Sequence, residues 1–167
     1  MEANGYFEES DDQGITRAGT DRLYLLDFHG TQLEKINEEF GDVNYSGLYL
    51  LINSDKNKIY VGESSNVKTR ANDHENPPEL HNDGFDRMIL LWDGRPNTIS
   101  HFGNETFRKT LENKCIRVFD DYSKYKCVNT VKNPKITNVQ ISSSVTRFTN
   151  DLYFLLKKYN LIHTIPE

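Results

Sequence analysis

The stretch that decides the fold is Ser46-Gly-Leu-Tyr-Leu-Leu-Ile-Asn53, followed after a polar linker by Ile59-Tyr-Val-Gly62. Both runs are rich in apolar and aromatic residues, and the linker Ser54-Asp-Lys-Asn-Lys58 is turn-forming. Two such runs around a turn predict a β-hairpin. Because alternate side chains of a strand share a face, Tyr49 can face Tyr60 from the neighbouring strand.

A short helix is predicted directly after this hairpin. Gly62 is expected to let the chain turn sharply where a side chain would crowd a substrate. The polar residues at positions 64–66 are all good N-cap residues, so a helix is expected to begin there. Arg70 and His74 are four residues apart, which makes them neighbours on one helix face. Their side chains can therefore reach the same anion.

In these residues the chain resembles the GIY-YIG endonucleases. Gly47-Leu48-Tyr49 corresponds to the first family motif and Tyr60-Val61-Gly62 to the second, with an aliphatic change in the middle of each. Family members carry an Arg in the following helix, matched by Arg70, and commonly a His one turn later, matched by His74. The ordered set is more specific than any single tripeptide, and the resemblance covers about residues 46–131.

The resemblance extends to later parts of the chain. Family members place a metal-binding Glu on a later helix, and Glu112 in Thr110-Leu-Glu-Asn-Lys-Cys-Ile116 matches it. An Asn usually closes the set, and Asn129 stands in that position. Many bacterial members continue with a Pro-containing loop and a long amphipathic helix, similar to Asn133-Pro134 and the stretch 143–159.

The fold that this resemblance implies is α+β, with a small three-stranded antiparallel sheet flanked by helices. Four segments are predicted: an acidic flexible tail at 1–20, a β-α extension at 21–45, the nuclease core at 46–131 and a helical extension at 132–167. The tail prediction follows from a composition rich in Glu, Asp, Gly and Thr.

Local patterns support the two extensions. Arg22-Leu-Tyr-Leu-Leu-Asp-Phe28 has strand character, and Thr31 with Glu34 forms a capping box, so a β-α unit is expected at the edge of the sheet. Apolar residues in the C-terminal stretch follow steps of three and four, which predicts one helix face packed in the core rather than a partner groove. These residues are Val145, Phe148, Leu152, Leu155 and Tyr159.

The resemblance also implies a reaction, the metal-dependent hydrolysis of phosphodiester bonds in DNA. Tyr60 would act as the base towards water, and Tyr49 would help to hold the water or the phosphate. Arg70 would clamp the phosphate oxygens with its forked guanidinium. His74 would orient a tyrosine or protonate the leaving oxygen, and Asn129 would hydrogen-bond the phosphate or the metal shell.

Glu112 is the expected metal ligand, because hard ions such as Mg²⁺, or alternatively Mn²⁺, bind carboxylate oxygens and water. A tyrosine with a pKa near 10 is a poor base at neutral pH, so nearby cations are expected to favour its phenolate. Gly62, Lys109 and Lys114 are the expected substrate-binding residues. Glu63 departs from several family branches, and an acid there would repel phosphate unless it faces a cation.

The net charge of −5 is unusual for a chain that binds nucleic acid. Residues 1–45 hold three basic and eleven acidic residues, a net of −8, which leaves seventeen basic and fourteen acidic residues, a net of +3, for 46–167. Eight basic residues surround Glu112 in sequence and form either a DNA-tracking surface or a solvated helix face. They are Arg108, Lys109, Lys114, Arg117, Lys124, Lys126, Lys132 and Lys135.

Other sequence features narrow the setting of the protein. No stretch approaches the roughly 18 consecutive apolar residues of a membrane helix. The N-terminus lacks the basic-then-apolar order of a secretory signal, so a cytoplasmic protein without a membrane partner is expected. Cys115 and Cys127 are too few for a disulfide framework and lack zinc-site spacing. The acidic segment could shield the basic surface, mediate homo-oligomer formation or complete the fold.

Two function classes therefore remain open. One is an active endonuclease, favoured because Glu112, Arg70 and both tyrosines are retained together. The other is a catalytically weak or inactive module of the same fold that binds nucleic acid or protein, favoured by the overall acidity and Glu63. No helix-turn-helix or zinc finger is visible in the sequence, so a structure-preferring or weakly specific nuclease is expected over a specific restriction enzyme.

Overall fold

The computed structural model describes residues 5–11, 14–29, 38, 45–72, 77–95, 99–129 and 139–166. The strands are β1 (Phe7–Ser10), β2 (Ile15–Gly19), β3 (Tyr24–His29), β4 (Gly47–Asn53), β5 (Lys58–Ser64), β6 (Arg87–Trp92) and β7 (Lys126–Cys127). The α-helices are α1 (Val67–Asn72), α2 (Glu105–Tyr122) and α3 (Val139–Lys158), with short 3-10 helices at Pro78–Asp83 and His101–Gly103. In space the strands follow the order β1-β2-β3-β6-β4-β5-β7.

The predicted hairpin is confirmed as β4 and β5. The two strands are antiparallel, with Tyr49 opposite Gly62 and Leu51 opposite Tyr60. The turn between them contains Asn57 in a left-handed backbone conformation, with φ of 51°. On its other side β4 pairs antiparallel with β6, which completes the expected central three strands.

The α+β class is confirmed, but the prediction of a three-stranded sheet is wrong because the sheet has seven strands in the part of the chain that is described. Three of the additional strands come from the N-terminal segment, and β3 joins the sheet by pairing with β6. The seventh, β7, runs parallel to β5 and closes the other edge. The predicted domain boundaries stay a prediction.

The expected flexible tail at 1–20 is also corrected, because β1 and β2 lie within it. Ile15 and Ala18 on β2 are almost completely buried, so two apolar positions in a polar segment suffice to anchor it. The hydroxyl of Thr20 donates a hydrogen bond to Asp151 on α3 over 2.8 Å. The average composition of the segment is polar and gave no indication of these buried side chains. Deletion of residues 1–20 would therefore remove part of the core.

The predicted strand at 22–28 is confirmed as β3, which pairs with β6 beside the central strands. The capping-box residues Thr31 and Glu34 lie outside the described residues. Of the segment 30–44 only Glu38 is described, and it is helical.

The core lies on both faces of the sheet, as the alternation of strand side chains requires. One face packs Leu50, Ile52 and Val61 against α2 and α3. The opposite face packs Tyr49 and Leu51 in a second cluster, together with Val67, Leu80 and Leu90. The central strands are therefore covered on both sides.

The C-terminal helix has the predicted apolar stripe but begins four residues earlier than expected, at Val139. Four of its stripe residues are buried in the core and Tyr159 is half-buried, which confirms core packing. Cys115 is buried on the inner face of α2, and burial raises the pKa of its thiol. Among the described helices, none has the length and apolarity needed to cross a membrane.

Candidate active site

The site begins with a pair of tyrosines on neighbouring strands. The ring centroids of Tyr49 and Tyr60 lie 6.3 Å apart with an angle of 33° between the ring planes. The Tyr60 hydroxyl shares a hydrogen bond with that of Tyr49, and this bond favours the protonated form of Tyr60. The pair is diagonal across the hairpin, a spacing that long aromatic side chains can bridge.

Gly62 makes room for this pair. A Cβ atom added at Gly62 would overlap the ring of Tyr49 at Cζ and Oη. The expected sharp turn at Gly62 is wrong, because β5 continues in regular form to Ser64. The absence of a side chain at Gly62 therefore leaves room for the Tyr49 ring. Contact between Gly62 and substrate stays a prediction.

Helix α1 carries Arg70 to the same place. The side chain of Asn66 accepts a hydrogen bond from the Thr69 amide over 3.2 Å, as the N-cap prediction requires. Val67 is buried, and its amide donates to the Tyr45 carbonyl over 2.9 Å, which fixes the helix to the sheet. The guanidinium carbon of Arg70 then lies 4.7 Å from the centroid of the Tyr49 ring, in cation–π contact. The Arg70 guanidinium and the tyrosine pair are thus adjacent, while His74 lies outside the described residues.

Helix α2 supplies Glu112, which is only 9% exposed. Its carboxylate is close enough to Tyr60 to raise the pKa of that phenol. Burial is the largest cause of the shift, followed by Tyr49, Glu79 and Glu112, and together they raise the pKa of Tyr60 to about 12. Nearby cations were expected to favour the phenolate, but burial, Tyr49 and two carboxylates all favour the protonated phenol instead.

Glu79 was missed in the sequence analysis. Its carboxylate raises the pKa of Tyr60, as that of Glu112 does. It lies in the 3-10 helix Pro78–Asp83, and the adjacent Leu80 is completely buried against the face of the sheet that carries Tyr49. The pair Pro77-Pro78 ahead of it was the only sequence signal, since Pro favours the first position of a helix. This signal predicts where the helix begins, but it does not indicate that Glu79 lies near Tyr60.

The acids around Tyr60 fit a divalent metal ion of the Mg²⁺ type. Such an ion uses one or two carboxylates and keeps several water ligands, and the carboxylate of Glu112 beside the tyrosine pair is compatible with this type of site. No group of three or more His, Cys, Asp or Glu side chains within the described ranges could hold a metal ion. The residues therefore suit an open site completed by water and phosphate oxygens rather than a closed protein cage.

A comparison with protein-family models identifies the family to which the central part of the chain is related. The family model described as the GIY-YIG catalytic domain matches residues 45–126. These residues belong to the GIY-YIG family. The match contains Tyr49, Tyr60, Arg70 and Glu112, and it leaves β1 to β3 and α3 outside. Comparisons with curated proteins and with solved structures found no match to the chain.

Membership of the family carries a coarse functional statement. GIY-YIG nucleases act on nucleic acids and generally use a divalent metal ion. Such chemistry would require residues of the matched domain that lie close together. The tyrosine pair, Arg70 and Glu112 meet this condition.

Asn129 has a different setting from the one the resemblance suggested. Its Oδ1 accepts a hydrogen bond from the Val61 amide over 3.0 Å, and its Nδ2 donates to the Val61 carbonyl over 2.7 Å. The Cys127 thiol also donates to Oδ1 over 3.2 Å. The amide thus extends the pairing of β7 with β5, between Tyr60 and Gly62. This contact positions the strand of the GIY-YIG hairpin, and a direct role on phosphate stays a prediction.

Glu63 does face a cation, which was the condition set by the sequence argument. The Nε of Arg108 on α2 donates to the Glu63 carboxylate over 2.7 Å. Its Nη1 also donates to the Phe102 carbonyl over 2.8 Å. Arg108 is buried, so it belongs to this internal ion pair rather than to a DNA-tracking surface.

The two lysines expected to bind substrate differ in position. Lys109 forms an ion pair with Glu105 over 2.8 Å, and the pKa of Lys109 is raised chiefly by Glu105, with smaller effects from Glu63 and Glu112. Lys109 is thus on the side of α2 that carries Glu112. Lys114 is exposed and two residues from Glu112, about 200° around the helix, so it points away. Arg117, Lys124 and Lys126 are exposed as well, while Lys132 and Lys135 lie outside the described residues.

Proposed function

We propose that this GIY-YIG domain is a metal-dependent endonuclease that hydrolyses phosphodiester bonds in DNA, with Mg²⁺ as its ion and Mn²⁺ as an alternative. The observation that carries the proposal is the convergence of Arg70 on the Tyr49 ring with the effect of Glu112 on Tyr60. A phosphate clamp, two phenols and a carboxylate from four separate elements meet at one place. A core or a solvated surface requires none of these contacts.

Arg70 is the phosphate ligand in this proposal. Its guanidinium is half-buried over Tyr49, which limits its rotamers and keeps its planar set of N–H groups oriented. An oriented guanidinium binds phosphate oxygens in a bidentate manner without paying further ordering entropy. It therefore holds the scissile phosphate beside the tyrosine pair.

Glu112 would hold the metal ion, which would supply positive charge to the phosphate and the leaving oxygen. Tyr60, with a pKa of about 12 in the free protein, keeps its proton at neutral pH. In that state its hydroxyl donates a hydrogen bond and can orient phosphate or water. Tyr60 can act as a base only when this pKa is lowered, because burial, Tyr49, Glu79 and Glu112 all raise it.

The deciding experiment is incubation of the purified protein with supercoiled plasmid in the presence of Mg²⁺, Mn²⁺ or a chelator. We expect metal-dependent nicking or linearisation. Glu112→Ala should abolish cutting while circular dichroism shows an intact fold. Asp121→Ala is the matched control, because Asp121 is an exposed acid on the same helix and should leave cutting unchanged.

The alternative is a module of this fold that binds without cutting, for which the high pKa of Tyr60 is the supporting observation. It predicts that the wild type and Glu112→Ala behave identically on DNA and RNA at every metal concentration. Binding without cutting in both proteins would replace the endonuclease proposal by this one.

A further inference from the structure

A separate cavity of about 380 Å³ lies at the end of the sheet where β3 begins and β6 ends. Its walls come from the turn before β3, the loop after β6 and the helix α3. This volume is in the lower part of the usual range for small-ligand sites. None of its lining residues belongs to the tyrosine, Arg70 and Glu112 site.

Two arginines that line this cavity form ion pairs with buried aspartates. Arg95 Nη2 donates to Asp93 over 2.7 Å, and Arg22 Nη1 lies 3.5 Å from Asp151. The two carboxylate side chains are 2% and 7% exposed, whereas the guanidinium-bearing side chains are 43% and 42% exposed. Each guanidinium has five N–H donors, so these contacts orient the group and leave donors for a ligand.

The third arginine, Arg147, is exposed on α3 and lines the same cavity. Within the described part of the chain, no hydrogen bond or ion pair involves its side chain. The lining set has three arginines against the two aspartates Asp21 and Asp93. Asp151 beside Arg22 balances the third arginine, so the charges around the cavity offset one another and the Arg147 guanidinium is available for an anion.

Aromatic rings complete the wall. The His101 ring is exposed and is held at 5.5 Å from the buried Phe148 ring. The Tyr24 ring is 36% exposed and packs against Trp92 at 6.0 Å and over the backbone of Gly94. Supported aromatic faces next to guanidinium groups are the combination with which proteins bind a base together with its phosphate.

We infer that this cavity binds one nucleotide unit, with its phosphate on Arg22, Arg95 and Arg147 and its base against Tyr24 and His101. The inference goes beyond the proposed nuclease reaction and does not depend on it. The ligand can be a free mononucleotide or a nucleotide of a single strand, since both present the same phosphate and base.

The test is a calorimetric titration of the full chain in a chelator, so that no cutting occurs. The probes are dAMP, adenosine, inorganic phosphate and a 5′-phosphorylated tetranucleotide. We expect dAMP or the tetranucleotide to bind more tightly than adenosine or phosphate, because only they supply both halves of the ligand. Tight binding of dAMP assigns the free nucleotide, and tight binding of the tetranucleotide alone assigns the strand.

Variants separate the two halves of the site. Arg147→Ala should weaken binding at least about tenfold through loss of a charge-assisted hydrogen bond, while Lys157→Ala, an exposed cation on the same helix α3, should leave it unchanged. His101→Ala should weaken dAMP or the tetranucleotide but not inorganic phosphate. Melting curves of each variant check the fold. Equal affinity of Arg147→Ala and wild type, or equal affinity for phosphate and both nucleotides, would overturn the inference.

Discussion

Glu63 on β5 and Arg108 on α2 form an ion pair in which Arg108 Nε lies 2.7 Å from the carboxylate. The two side chains are 20% and 9% exposed, so water screens the pair only in part. Arg108 precedes Glu112 by one helical turn and shares its face of α2. The pair therefore ties the hairpin strand that carries Tyr60 to the helix that carries Glu112.

Removal of Glu63 should cost stability, because Arg108 would keep its buried charge without the carboxylate. We expect Glu63→Ala to lower the free energy of unfolding by about 2 to 3 kcal/mol in urea titrations. Arg108→Ala should cost more, since the bond to the Phe102 carbonyl is lost as well. The double variant should lose less than the sum of the two.

The exposed pair of Glu105 and Lys109 on the same helix provides the control, and Glu105→Ala should change the unfolding free energy very little. Strict additivity of Glu63→Ala and Arg108→Ala would show that the pair contributes no coupling.

Asn129→Ala should damage the fold more than the chemistry. The substitution removes the partners of the Val61 amide and carbonyl, and we expect a loss of about 2 kcal/mol of unfolding free energy. Lys126→Ala, an exposed change in β7, is the matched control and should be neutral. Plasmid cutting per folded molecule should be largely retained in Asn129→Ala. A stable Asn129→Ala protein that no longer cuts would instead place the side chain on the substrate.

The acids around Tyr60 make a prediction about its titration. Burial is the largest cause that raises the pKa of Tyr60 to about 12, and Glu112→Gln removes only a smaller one, so that pKa should fall part of the way towards the usual value of 10. NMR of ring-labelled tyrosine measures the shift, and Tyr60→Phe assigns the signal. Tyr153, whose pKa is likewise raised to about 12 by burial first but without a contribution from Glu112, is the internal control and should not move.

The same shift links stability to pH. A phenol with a raised pKa in the folded state favours folding below the unfolded pKa of 10, and this contribution is lost as pH rises through about 12. Tyr60→Phe should therefore lose less stability than the wild type across that window. An unchanged Tyr60 pKa in Glu112→Gln would show that the charge of Glu112 does not act on Tyr60.

Arg70→Ala should remove the phosphate clamp and leave the fold intact. We expect a loss of about 3 kcal/mol of transition-state stabilisation, roughly a hundredfold in the cutting rate, with little change in Tm. Arg70→Lys keeps the charge but not the planar fork, so an intermediate rate is expected. Loss of folding in Arg70→Ala, with unchanged activity per folded molecule, would make Arg70 a structural residue.

The sequence by itself determined the features that depend on neighbours along the chain. Strand alternation around Tyr49 and Tyr60, the N-cap at Asn66 and the apolar stripe from Val145 onwards all arise from spacings of two, three or four residues. Such spacings give each element its own buried face before any other element is placed. The order of Tyr49, Tyr60, Arg70 and Glu112 was therefore enough to indicate the family.

Only the tertiary structure decided which distant residues meet. Arg108 reaches Glu63 across 45 positions and Asn129 reaches Val61 across 68, and neither partner is signalled by local spacing. The same holds for Tyr60, whose pKa depends on its burial and on carboxylates from two other elements. The strand β2 was missed for a related reason, because its two buried apolar side chains, Ile15 and Ala18, gain their stabilisation only when β3 and the helices cover them. Burial and charge are properties of the assembled surroundings, and these surroundings exist only after folding.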